Sequence, residues 1–194
     1  MLSDYITLSE SIHNLNDIHA QYGVPLQNLC DNFLDMDSSG SLPWSPWVDF
    51  TTPTFGLSTG VREKGTTERY HVGVYRVTHV DDISFENGIA NRVAYYGEGR
   101  IAARVHAVRN TYKKRVSDSI KYSRATKGPS AWHPCGQHMA DNDPSIENWY
   151  YSVFDISSYG ADHIVMKDIA RVLEHKLVHR DLPRFNTTGQ THDR

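Results

Sequence analysis

The run Tyr70-His-Val-Gly-Val-Tyr-Arg-Val-Thr-His-Val80 constrains this chain more than any other stretch. β-Branched and aromatic side chains dominate it, and such residues suit the pleated, half-buried surface of a strand. Turn formers Asp81, Asp82, Asn87 and Gly88 separate it from a second strand-like run, Arg92-Val-Ala-Tyr-Tyr96. The two runs predict an antiparallel hairpin with a long connection, and Gly97 and Gly99 break the second strand. Beyond it, Ile101, Val105, Val108, Tyr112 and Val116 recur at helical spacing. A loop rich in Gly, Pro and Asn follows, then a third strand over Trp149–Ile156. Asp162 can cap a last helix that runs through His179 and is ended by Pro183.

Upstream, the spacing from Thr7 to Glu10 fits a capping box, with Ile12, Leu15, Ile18 and Tyr22 at helical intervals behind it. Gly23 stops that helix, Pro25 suits the first turn of a second, and Leu26, Leu29, Cys30, Phe33 and Leu34 form its apolar stripe. The resulting helical hairpin can read DNA or simply pack on a core. Turn formers and prolines between Asp37 and Trp47 indicate an ordered loop anchored by Trp44 and Trp47, and a further irregular segment spans Gly60–Thr67. The organisation expected is a helical arm and loop over residues 1–66, able to contact DNA or dimerise, and an α+β domain over residues 67–194. Its small, mainly antiparallel three-stranded sheet is flanked by helices.

A length of 194 residues suffices to bury an adequate interior, and 39% hydrophobic with 22% charged residues lies near the soluble average. Cys30 and Cys135 are too few for a disulfide framework and are expected to be free thiols in a reducing compartment. With no signal-peptide pattern and no apolar run of spanning length, a soluble cytoplasmic protein that avoids membranes is expected. Net charge is −3, yet Arg100, Arg104, Arg109, Lys113, Lys114, Arg115, Lys121, Arg124 and Lys127 cluster with Asp118 as the single acid among them. That stretch, Arg109, Lys113, Lys114 and Arg115 above all, can track a phosphate backbone, or form a solvated helix face balanced by acids elsewhere.

The order of strand with Gly73-Val74-Tyr75, strand with Tyr95-Tyr96-Gly97, helix with arginines, strand, and helix with the interior Glu174 resembles the GIY-YIG nucleases. Ile101-Ala-Ala-Arg104-Val105 is similar to the family's arginine segment, and Glu174 followed by Pro183-Arg-Phe-Asn186 to its closing pattern. The resemblance covers about Tyr70 to Thr188. It implies catalytic roles for Tyr75, Tyr95, Arg104 and Glu174, supporting roles for Gly73, Gly97, Arg100 and Asn186, and one Mg2+ held by Glu174, with Mn2+ able to substitute. It also implies a double-stranded DNA substrate and, for a compact chain with a helical arm, the type II restriction endonuclease branch. A palindromic target would favour a homodimer on DNA.

Those residue types suit phosphodiester hydrolysis. A carboxylate-held divalent ion and an arginine fork neutralise charge developing on the phosphate, and a tyrosine orients the attacking water. The chain departs from the family in two ways. Val108 stands one turn beyond Arg104, where many members carry histidine or tyrosine, and His106 lies roughly 200° round the helix from Arg104. The interval from the second tripeptide to Arg104 is also one residue short, which leaves Arg100 and Arg109 as rivals, Arg100 sharing a helical face with Arg104. A homing or phage-type nuclease of looser specificity and a catalytically inactive DNA-binding module are the alternative functions. His133, Cys135 and His138 offer a rival zinc set, or a loop with solvent-facing histidines.

Overall fold

The predicted hairpin forms. Val72–His79 (β2) pairs antiparallel with Tyr95–Arg100 (β5), placing Tyr75 opposite Gly97 and Val77 opposite Tyr95. Trp149–Asp155 (β6) pairs with the other side of β2. The structure, a computed structural model, describes residues 15–52, 71–84, 86, 89–117, 133–159 and 163–186. The capping box at Thr7–Glu10, the irregular segment Gly60–Thr67, the cap at Asp162 and the basic residues Lys121, Arg124 and Lys127 fall outside them.

The mixed α+β class is as expected, but the sheet has four strands rather than three, in the order Val48–Asp49 (β1), β6, β2, β5. The extra strand, Val48–Asp49 (β1), comes from the proline-rich loop, which runs beside β6: Ser45 N–H donates to the Val153 carbonyl at 2.8 Å. Trp44 and Trp47 do anchor that loop, their rings 4.3 and 4.5 Å from the Arg76 guanidinium between them. The long hairpin connection folds into its own two-stranded ribbon, Ile83–Ser84 (β3) with Ile89–Ala90 (β4).

Alternation along the strands divides the core into two layers. Val72, Val74, Tyr96 and Phe154 face Leu15–Ser38 (α1) and His163–Asp181 (α4). Tyr75, Val77, Tyr151 and Val153 face Ile101–Ser117 (α2) and Pro134–Asn142 (α3).

Three local expectations are corrected. The helical hairpin is a single helix, since α1 passes through Gly23 and Pro25 without a break. Proline removes one internal hydrogen bond, but burial of Leu26, Cys30 and Phe33 against α4 favours one continuous rod. Two acids of α1 serve that docking, Asp31 bonded to Lys176 at 2.5 Å and Asp37 to Arg180 at 2.6 Å. The second strand extends across Gly97 and Gly99 instead of ending before them, because β2 supplies partners through Val72 opposite Arg100. Part of the expected loop before β6 is helical, as α3. Both cysteines are free and buried, and among the described residues no helix is long and apolar enough to cross a membrane.

Candidate active site

Four secondary-structure elements deliver the expected residues to one place. A cavity of about 140 Å³ is lined by Tyr75 from β2, Tyr95, Gly97 and Glu98 from β5, Arg104 from α2, Arg171 and Glu174 from α4, and His133 just before α3. Because β5 is the edge strand, α4 can contribute from beneath the sheet while Tyr75 contributes from above.

Tyr75 is buried, its ring centroid 6.0 Å from that of Tyr95. Burial, and secondarily Tyr95, pushes its phenol well above the ordinary value, so Tyr75 is uncharged in the free protein. Tyr95 is shifted in the same direction, again chiefly by burial. The glycine of the second tripeptide has a physical reason. A Cβ on Gly97 would overlap Cζ and the hydroxyl of Tyr75, whose ring lies directly across it. Gly97→Ala is therefore expected to displace Tyr75 and destabilise the fold by about 1–3 kcal/mol, read as a lower urea midpoint with unchanged slope.

Arg104 occupies the first turn of α2. Its Nε donates to the Glu98 carbonyl at 3.1 Å and its Nη2 lies 3.9 Å from the Glu98 carboxylate, with half of the side chain exposed. Gly99, at φ +112°, leaves room for it, since a Cβ there would sit 3.3 Å from Arg104 Nε. Neither rival arginine lines the cavity. Arg100 belongs to the end of β5, not to α2, so the helical-face argument for it does not hold. Arg109 donates to the Thr52 carbonyl.

Glu174 is half-buried on α4. Burial, reinforced by nearby Glu98, raises its carboxyl to about 8 against the opposing pull of Arg104 and Arg171. Asn186 clamps its surroundings. Tyr96 N–H donates to Asn186 Oδ1 at 2.8 Å, and Asn186 Nδ2 donates to the Tyr96 carbonyl at 2.9 Å and to Glu174 Oε1 at 3.4 Å. Two carboxylates, Glu98 and Glu174, line the cavity beside Arg104, Arg171 and His133, and carboxylate oxygens are the donors a hard divalent cation takes. Glu174 would hold it.

His133, Cys135 and His138 do not converge as a zinc set, nor do the histidines form a solvent-facing loop. His133 is buried against Tyr75, Cys135 is buried within the core, and His138 stacks on Phe185 at 5.1 Å. Among the described residues no group of three or more His, Cys, Asp or Glu side chains is gathered to hold a metal. Of the basic side chains on α2, Arg115 pairs with Asp141 at 2.7 Å, Lys113 is exposed and Lys114 partly so. Two of the four expected DNA contacts are thus already engaged within the protein.

Comparison with models of known families, with curated proteins and with solved structures found no match. The geometry therefore carries the functional argument. A larger groove of about 1010 Å³ has Asp37, Arg76, Arg92, Arg180 and Asp181 in its lining, and of these Arg180 is already paired with Asp37 and Asp181. Three residues of the small cavity were not assigned to it from the sequence: Glu98, Arg171 and His133, the last read instead as a zinc ligand or a loop histidine. Glu98 was legible in principle as the polar residue between two strand glycines, and Arg171 as a neighbour three residues before Glu174 on one helix face. Nothing local announces that His133 reaches Tyr75.

Proposed function

We propose that the protein is a divalent-metal-dependent endonuclease that hydrolyses phosphodiester bonds of double-stranded DNA at specific sites, in the manner of a type II restriction enzyme. One observation carries this reading: Tyr75, Tyr95, Arg104 and Glu174, separated along the chain, line a single small cavity at the sheet edge. Chance placement of strand tyrosines and helix charges does not favour that convergence. When bound, a divalent ion supplies Lewis acidity toward a phosphate oxygen, Mg2+ suiting a site with one carboxylate and room for waters, and Mn2+ able to replace it.

The protein's own groups do the remainder. The half-exposed Arg104 is tethered to the Glu98 carbonyl through Nε, with Nη2 3.9 Å from the Glu98 carboxylate, and its guanidinium would meet a phosphate entering from solvent chiefly through Nη1. Tyr75 and Tyr95, uncharged in the free protein, orient the attacking water and the phosphate by hydrogen bonds. Asn186 holds Glu174 in place from behind. Lys113 and Lys114 lie farther along the helix that begins with Arg104's turn and would extend contact along the duplex backbone. A palindromic target would bring two copies together on DNA.

The test is cleavage of several unmethylated DNAs by wild type and Glu174→Ala, in Mg2+ or chelator. Discrete metal-dependent fragments that vanish in the variant are expected. A smear would instead identify a homing- or phage-type enzyme of looser specificity. Tight binding without cleavage in any divalent metal would overturn the nuclease reading in favour of a DNA-binding module.

A further inference from the structure

The residue one turn beyond Arg104, Val108, is fully buried because another helix covers it. Gly136 of α3 sits so close to α2 that a Cβ there would overlap the Val108 carbonyl and lie 3.0 Å from Thr111 Cβ. Thr111 Oγ1 also accepts the backbone N–H of His133 at 2.9 Å. These contacts fix the start of α3 against α2 and bring His133 Nε2 to 3.0 Å from the Tyr75 hydroxyl. The opposite ring nitrogen, Nδ1, is buried with no hydrogen-bond partner.

That asymmetry selects a tautomer. Burial, with Arg104 adding to it, holds the ring neutral by lowering its pKa to about 4. A neutral imidazole carries one proton, and a buried N–H without an acceptor is rarer and costlier than a buried lone pair without a donor. The proton therefore belongs on Nε2, where the Tyr75 oxygen accepts it.

We propose that His133 is a positioning residue that donates its Nε2–H to the phenolic oxygen of Tyr75 and so directs that hydroxyl into the cavity. With one lone pair of the Tyr75 oxygen occupied by His133, its own O–H is turned toward the space shared with Tyr95, Arg104 and Glu174. His133 keeps its proton throughout and neither gains nor loses charge. The same donor stabilises negative charge on the Tyr75 oxygen whenever the reaction places it there. The position left apolar by Val108 is thus served by the residue that precedes α3. This assignment deepens the nuclease reading and rests on it for its kinetic consequence, but not for its structural one.

The experiment has two arms. In protein carrying 15N-labelled histidine, with the His133 signals identified by their loss in His133→Gln, the ring is expected to be neutral and protonated at Nε2 between about pH 6 and 8, and that N–H signal to move in Tyr75→Phe. A proton on Nδ1, or an imidazolium in that range, would overturn the proposal whether or not the protein cuts DNA. In the kinetic arm, His133→Gln can place an amide N–H at the same spot and is expected to stay within about tenfold of wild-type kcat. His133→Leu is expected to lose roughly 100-fold in kcat with its DNA affinity in Ca2+ unchanged. Equal losses in both variants would show that the N–H donor is not what matters. Should His133→Leu fail to fold, the tautomer in wild type and the glutamine rescue still decide. A wild type that cuts nothing would sink the nuclease reading while leaving the tautomer result standing.

Discussion

Glu174→Gln is expected to stabilise the metal-free protein by roughly 3–5 kcal/mol above pH 8 while abolishing its proposed activity, since a carboxyl raised from 4.5 to about 8 is costly to ionise in place. The sign follows from linkage. The folded pKa lies above the unfolded one, so between about pH 4.5 and 8 the folded state binds more protons. The stability this proton confers is fully present below pH 4.5 and is lost as pH rises through 8. Glutamine retains the shape and the hydrogen bond from Asn186 without that titration. Urea midpoints with chelator present should therefore fall from pH 5 to pH 9 in wild type and stay nearly level in the variant. Adding Mg2+ should narrow the gap at high pH, because an ion that binds only the folded state adds stability to wild type alone. Parallel pH profiles for the two proteins would refute the burial of an uncompensated carboxyl.

Gly73→Ala is expected to be the most damaging single-methyl substitution on the sheet. β2 is bonded on both sides, and Gly73 lies opposite Gly99 on β5 and Asp155 on β6. An added Cβ would overlap the Phe154 carbonyl oxygen, with the Phe154 carbonyl carbon at 3.0 Å and Ile101 Cδ1 at 3.1 Å. Backbone cannot swing aside as a side-chain tip can, so β2 and β6 would have to part. About 3 kcal/mol is the expected loss, a large share of what a domain of this size has in reserve. Gly40→Ala is the contrast: its Cβ would meet nothing within 4 Å, although the φ of +72° adds local strain. The loss there should be no more than about 1–2 kcal/mol. Chemical denaturation of both variants measures the difference, and equal midpoints would mean that the sheet can accommodate Gly73→Ala by a shift.

Much of this molecule was legible because short-range periodicity reports burial directly. The alternation in β2, the helical stripe from Ile101 to Tyr112 and the aromatic run of β6 each show which side chains face inward. The four residues carried over from the family resemblance likewise line one cavity. Local punctuation was less reliable. Gly23 and Pro25 read as a helix break but lie inside α1, because the apolar stripe that follows them docks on α4 over its whole length. Gly97 and Gly99 read as a strand end, yet they lie within β5 to make room for the Tyr75 ring and the Arg104 side chain. Of the three rivals, only Arg104 reaches the cavity, a choice that spacing alone left open.

The sequence by itself determined the α+β class, the central hairpin and the residue types of the site, since each is written in periods of two or 3.6 residues and in the chemistry of single side chains. The tertiary structure alone decided that β1 joins the sheet, that α3 covers Val108 and that His133 meets Tyr75 across 58 positions of chain. Those contacts depend on how closely two backbones can approach, and that distance is set by a glycine on one element and a carbonyl on another, neither of which leaves a periodic trace.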